Sequence, residues 1–567
     1  MSVTRRHYKG KTYETVLLRR SYREGGKVKN ETVGNLSHLP AHVIEGIRAM
    51  LAGRELVDVD EQFRIERSLP HGHVGAVLGV LRGLGLERLI ARERCRERDL
   101  VVAMVVQRLI GPGSKLSATR RFAQTTLADE LELGEVTEAE LLAAMDWLLE
   151  RQPRIEAALA RRHLAGEGFM LYDLSSSYVE GRCCSLAALG YSRDGKRGTR
   201  QVNYGLTCSP EGRPVAISVY DGSTQDQQTL PDAVEAVRGR FGINDVVVVG
   251  DRGMFTQAHA EALTQAGVGF VSALKSAQIR KLVDAGDLQL SLFDETNLAE
   301  ISSELFPGER LVVCRNPAVA AERARKREAL LQATEVELAK VKTMVTGARG
   351  SLRAAAAGKI GERAGKVVNR YKVAKHFELQ ITDGAFSYTR KPDQIAAEAA
   401  LDGLYAIRTS CATSKLSSPA SVVRAYKQLK MAERAFRTMK DQIEIRPIHH
   451  HLDDRVRAHA FLCMLAYYVA YELQQRLTPL LFTDQSPLSP ADPVAPAKRS
   501  PAARAKAASQ RTPDGHTTHS LTDLITELGT LCRNKLRIGP TQHTITRLTE
   551  ATALQARALE LLQTKLA

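Results

Sequence analysis

An unbroken apolar run, Val246–Val249, closed at once by Gly250-Asp251, sets the tightest limit on the fold. Four consecutive β-branched residues without a polar face read as a strand buried on both sides, which needs helices above and below a sheet. Residues 168–181, GFMLYDLSSSYVEG, form a second short apolar run ending in Asp173 and small hydroxyl residues. Two further strands, TRQVNYGLTC and GRPVAISVYDG, flank the turn Ser209-Pro210-Glu211-Gly212. A helix around Leu230–Phe241 precedes the valine run, and a helix (Thr256–Ala266) and a strand (Gly269–Leu274) follow it. Three strands, then helix–strand–helix–strand, predict a mixed α/β sheet with flanking helices.

Both Asp173 and Asp251 are read as lying just beyond the C-terminal end of an apolar strand, the edge where open α/β sheets build their sites. A turn or helix-cap role is the alternative for each one singly. A third acid lies in RAYKQLKMAERAFRTMK, residues 424–440. As one helix, this places Tyr426, Glu433 and Lys440 on one face, with Leu429, Phe436 and Arg437 flanking it. Its alternative is a solvated face with an ordinary Glu433–Arg437 pair. Three carboxylates on an α/β sheet can hold two divalent ions about 4 Å apart. Oxygen donors without Cys or His favour Mg²⁺ or Mn²⁺. Lys440 is read as a point charge for a phosphate and Tyr426 as a contact to the strand being cut.

Charge points to the partner. The 567 residues carry a net charge of +16, with 25% charged and 44% hydrophobic residues. That surplus favours a polyanion, nucleic acid before an anionic membrane surface. Aromatic residues at 5% disfavour single-strand binding by repeated stacking. No run of 18 apolar residues and no apolar leader occur, so a cytoplasmic protein without membrane spans is expected. Eight scattered cysteines, without CxxC, read as free thiols. His449–His451 are consecutive and cannot share a helical face; contacts near a backbone are expected there, not a triple-His metal site.

Along the chain, residues 1–38 read as a β-hairpin module turning at Gly25-Gly26, and 39–165 as a helical region able to bind DNA ends. Residues 166–275 and 401–480 read as two parts of one catalytic core. Between them, 276–400 is an insertion with a basic helical arm, after which a hairpin, FELQITDG and AFSYTRK, and a buried strand, GLYAIRTS, return the chain to the sheet. Residues 481–517 are read as a disordered basic linker, and 518–567 as a helical tail broken near Ile538-Gly539-Pro540.

YDLSSSYVEG, VVGDRGMF and the Tyr-x6-Glu-x6-Lys helix followed by RPIHHH together resemble the DDE transposases of bacterial insertion sequences. Within them, the chain is similar to the branch marked by a Tyr-Arg-Glu-Lys helix. The resemblance implies a ribonuclease-H-like core interrupted before the last catalytic acid. It implies cut-and-paste transposition: binding of terminal inverted repeats in double-stranded DNA, metal-dependent cleavage, and joining to target DNA by a homodimeric synaptic complex. Carried over, Asp173, Asp251 and Glu433 are catalytic metal ligands for two Mg²⁺ or Mn²⁺ ions. Tyr426 and Lys440 carry over as supporting DNA contacts, and Arg437 and Lys430 near them are read as further DNA contacts. A bacterial location, on the nucleoid when DNA is bound, goes with this reading. The sequence departs from the branch at Leu429, where its pattern has Arg. A ribonuclease-H-like nuclease without strand transfer and a catalytically silent DNA-binding regulator are the alternatives.

Overall fold

A computed structural model describes the chain except residues 55–62, 167, 294–295, 348–355, 485–486, 488–491, 539–542 and 567. The chain divides into two compact units: Met1–Leu69 with Cys532–Glu550, and Pro70–Leu531 with Ala551–Ala567.

In the first unit, strands β1 (Ser2–Tyr8), β2 (Lys11–Glu24) and β3 (Lys27–Asn35) form an antiparallel sheet. The β2–β3 turn falls at Gly25-Gly26, whose φ angles of 60° and 78° are the left-handed values a primed turn requires. The hairpin expected there is present, with β1 added on the far side of β2. A second sheet joins β4 (Phe63–Pro70) to β15 (Cys532–Ile538) and β16 (His543–Leu548). This corrects two expectations. The 39–165 region is not wholly helical, and the 518–567 tail contains a β-hairpin. Its expected break at Gly539-Pro540 lies outside the described residues.

The second unit is built on an eight-stranded sheet, ordered β10-β11-β14-β9-β8-β5-β6-β7. Its strands are β5 (Phe169–Tyr178), β6 (Gln201–Cys208), β7 (Pro214–Asp221), β8 (Val247–Gly250), β9 (Gly269–Ala273), β10 (Leu298–Ile301), β11 (Arg310–Arg315) and β14 (Leu404–Thr409). Strand β8 is parallel to β5 and to β9, and the other pairings are antiparallel. All four residues of β8 are buried, as the valine run requires. Helix Asp453–Leu477 is buried over most of its length and packs on β7 and on helices Arg96–Ile110 and Glu138–His163. Among the described residues no helix is long and apolar enough to cross a membrane.

The interruption at 276–400 is smaller than expected, because β10 and β11 lie in the main sheet. The arm is the helix pair Pro317–Thr346 and Ala357–Arg370 with the hairpin β12 (Phe377–Thr382) and β13 (Ala385–Arg390). It closes on its own core, including Leu331, Leu338, Val341, Ile360, Phe377 and Phe386. That hairpin is a separate two-stranded sheet and does not join the main one, whereas the GLYAIRTS strand, β14, returns the chain to it as expected. The expected disordered linker contains a helix, Pro501–Ser509, capped by Ser500. Its Lys506 is buried and donates to the carbonyl of Leu481 at 2.8 Å.

On β14 the buried Arg408 donates from Nε to Glu309 at 2.6 Å and also bonds Gln257. Replacing Glu309 by Ala strands a guanidinium inside the protein, and a loss of about 3–5 kcal/mol is expected. Thermal unfolding checks this: E309A should melt well below the wild type, while the double variant E309L/R408M recovers most of the loss.

Candidate active site

Parallel pairing of β5 with β8 runs from Phe169↔Val247 to Tyr172↔Gly250. The next residues on the two strands are Asp173 and Asp251, so the sheet itself sets these acids side by side. Asp251 follows the last residue of β8, as expected. Asp173 lies within β5, not beyond it, because pairing with β6 carries that strand on to Tyr178.

Burial pushes the Asp173 carboxyl up to about 7, and the negative charges of Asp251 and Glu433 add to the rise. The Leu174 amide, donating to Asp173 at 2.8 Å, and the Arg193 cation oppose it. Asp251 and Glu433 also act together on Tyr426, whose phenol burial and their charges hold above its ordinary range. The three acids therefore share one electrostatic neighbourhood. Glu433 reaches it from helix Lys430–Asp441, which buries Ala432, Ala435, Phe436 and Met439 against β5 and β6. Phe436 meets Tyr204 of β6 edge-on at 5.6 Å. That buried stripe turns Glu433 outward, where it is exposed.

Among the described residues no group of three Asp, Glu, His or Cys side chains stands close enough to hold a metal ion. The donor chemistry fits a hard divalent cation all the same: oxygen ligands only, with Asp173 pressed by the like charges of Asp251 and Glu433. Bridging would require the carboxylates to draw closer.

Several expectations at this site need correction. Residues 424–440 are not one helix: Pro419–Lys427 ends, and Lys430–Asp441 begins after Gln428-Leu429. The backbone stays right-handed helical at Leu429, but the bonds tighten to i→i+3, with Met431 N–H to Gln428 O at 2.8 Å. Tyr426 thus stands on the preceding helix, its hydroxyl 3.5 Å from Asp251 Oδ1. Lys440 is not a free phosphate contact. Its ammonium donates to buried Asp194 at 2.8 Å, alongside Arg446. Lys430 and Arg437 are exposed on the Glu433 helix, with Arg434 beside them. Leu429 is buried and packed in the core, so no cation belongs there. Lys427 cannot replace one, because it donates to the carbonyls of Pro493, Val494 and Ala495.

Sequence reasoning missed Arg193. It pairs with Asp226, its backbone amide bonds Ser176 Oγ at 3.0 Å, and its charge acts on Asp173. It sits in the irregular stretch before β6, where no periodicity marks it.

The model of the Transposase DDE domain family matches residues 173–469, slightly more than half of the chain. The chain belongs to the DDE transposases. The match opens at Asp173 and includes Asp251 and Glu433. Residues 1–59 match the N-terminal domain of IS1634 family transposases, which makes this an insertion-sequence transposase. A solved piggyBac transposase synaptic complex with hairpin DNA is similar at 8% identity, covering 71% of this transposase and 72% of that chain, with a TM-score of 0.34. A likeness that slight carries no argument here. Comparison with curated proteins gave no match.

Asp173 supplies a pH test. Its folded acidity is weaker than in the unfolded chain, so its ionisation burdens the fold as pH rises from about 4 through about 7, and fully above that. In chelator-treated buffer, D173N should melt above the wild type at pH 8 by roughly 1–3 kcal/mol and show no such gain at pH 4.

Proposed function

We propose that this enzyme cuts and joins double-stranded DNA at insertion-sequence ends by cut-and-paste transposition, with Asp173, Asp251 and Glu433 as its catalytic acids. The observation that carries this reading is that the charges of Asp251 and Glu433 both act on Asp173, which stands one residue past the last β5–β8 pair. The strand order β7-β6-β5-β8-β9, antiparallel through the first three and parallel through the last three, is the arrangement of a ribonuclease-H-like sheet.

In this reading the three carboxylates would hold Mg²⁺ or Mn²⁺. Two such ions supply charge stabilisation and activation of the attacking oxygen in an in-line displacement at phosphorus. The chain's own residues provide the frame. Tyr426 orients the Asp251 carboxylate through its hydroxyl. The Lys440–Asp194–Arg446 bonds hold the far end of the Glu433 helix against the loop before β6. Arg193, paired with Asp226, supplies a positive charge that acts on Asp173.

For the DNA path, a basic groove leads from Arg252, next to Asp251, past Arg280 and Lys281 to Arg323, Lys326 and Lys372 of the arm. Its cavity of about 890 Å³ suits a phosphate backbone. Lys430 and Arg437 would touch DNA beside Glu433. Synapsis of two ends requires at least a homodimer.

With repeat-ended DNA and Mg²⁺, D173A and E433A should each lose cleavage by on the order of a thousandfold or more. Unaltered cleavage and joining by either variant would sink the assignment. Supplying pre-cut ends separates transposition from hydrolysis alone: a transposase joins them to target DNA, and a nuclease does not.

A further inference from the structure

The histidine run that follows the Glu433 helix opens onto a feature that the three acids do not explain. Behind it lies a cavity of about 310 Å³, lined by none of the catalytic carboxylates. On its wall stands Lys115, the first residue of helix Lys115–Phe122, only 6% exposed. Among the described residues its ammonium has no hydrogen-bond or ion-pair partner. An ammonium enclosed in this way without a protein acceptor costs stability.

The neighbouring charges deepen the imbalance. Arg108, also buried, donates only to the carbonyls of Ile443 and Glu444, which leave its charge unneutralised. Arg455 reaches Asp146 only at 3.6 Å, and its buried Nε lacks a partner. His459 is spent on the Ile445 carbonyl at 3.0 Å, and the His450 ring lies 5.3 Å from it. Two carboxylates, Glu138 and Glu444, also line the cavity, but both side chains are exposed. Burial, then the Arg108 charge, pulls Lys115 down to about 7. Burial, then Lys115 and Arg108, pulls His450 to about 3. Each group is being driven to give up its proton for want of an anion.

We propose that this cavity binds a phosphate group, held by Lys115, Arg108 and Arg455. Its size and recess, with these three cationic side chains on its wall, fit a tetrahedral oxyanion, which accepts several N–H bonds at once. Arg446 lines the same cavity and bonds Asp194, the carboxylate that also receives Lys440. A phosphate seated beside Arg446 is therefore linked through two ion pairs, Arg446–Asp194 and Asp194–Lys440, to the helix that carries Glu433. The chemistry admits a DNA phosphodiester or a free phosphate. The first rests on the DNA-acting reading above, and the second does not.

The test uses the full chain and the variant K115M, with inorganic phosphate and, separately, a generic duplex as probes. Without phosphate, K115M should melt above the wild type, because a lone buried charge is gone; a purely structural lysine would give the opposite sign. Phosphate should raise the wild-type melting temperature beyond potassium chloride of equal ionic strength, and should not raise that of K115M. If the duplex is the source, K115M should bind it at least about tenfold more weakly, with a salt slope smaller by about 0.9. Loss of the phosphate effect alone assigns the cavity to a small phosphate. Should K115M fail to fold, the wild type labelled at histidine decides: phosphate must shift the imidazole signals of His450 and His459. Equal stabilisation of both proteins by phosphate, stabilisation of neither, or unmoved histidine signals overturns the site. Normal phosphate binding by a D173A protein that cannot cleave DNA keeps this outcome separate from the catalytic assignment.

Discussion

The rung that pairs Tyr172 of β5 with Gly250 of β8 is the constraint on which the active site depends. One residue further, the two strands deliver Asp173 and Asp251 to adjacent positions. A slip of one residue would turn every β5 side chain to the opposite face and separate the acids. Close packing fixes the register. The Tyr172 hydroxyl lies where a Cβ at Gly205 of β6 would stand, 2.2 Å away, so only glycine fits there. The same hydroxyl donates to Thr229 O at 3.3 Å, tying β5 to the helix on that face. At Gly250 an added Cβ would meet the Phe255 ring at 2.8 Å.

Around this rung the protein treats its buried carboxylates in two ways. Asp194 receives both Lys440 and Arg446 and serves as a clamp. Asp173 receives one backbone amide and the distant Arg193 charge, while two like charges press on it. The clamp holds the Glu433 helix in place, and Asp173 is left under the pressure of like charges. Such local conflict is characteristic of functional sites, where stability is given up for chemistry. The unpartnered Lys115 is the same conflict with the sign reversed.

The sheet was legible because buried strands leave a local signature: the valine run, the apolar start of β5, and the primed turn at Gly25-Gly26. Asp251 was expected to close such a run, and it follows β8 directly; Glu433 was singled out only in combination with the two aspartates, on a helix that in fact restarts at Lys430. What escaped was long-range. Nothing near Lys440 tells that its partner is Asp194, 246 residues earlier. The 532–548 hairpin pairs with a strand near residue 65, so its short segments look like a helical tail when read alone. The break before Lys430 was hidden because the dihedrals stay helical while only the bonding tightens. The Pro501–Ser509 helix was missed because its composition is linker-like; its buried Lys506 is held by carbonyls that close only in the folded chain.

The central claim is that Asp173, Asp251 and Glu433 form one divalent-cation site that closes when metal arrives. Electron paramagnetic resonance of Mn²⁺ added to the duplex-bound protein tests it most directly. The account predicts Mn²⁺ signals with the dipolar coupling of a close ion pair in the wild type, and loss of that coupling in D251N. Mn²⁺ bound identically by wild type and D251N, or no bound Mn²⁺ in either, would contradict it.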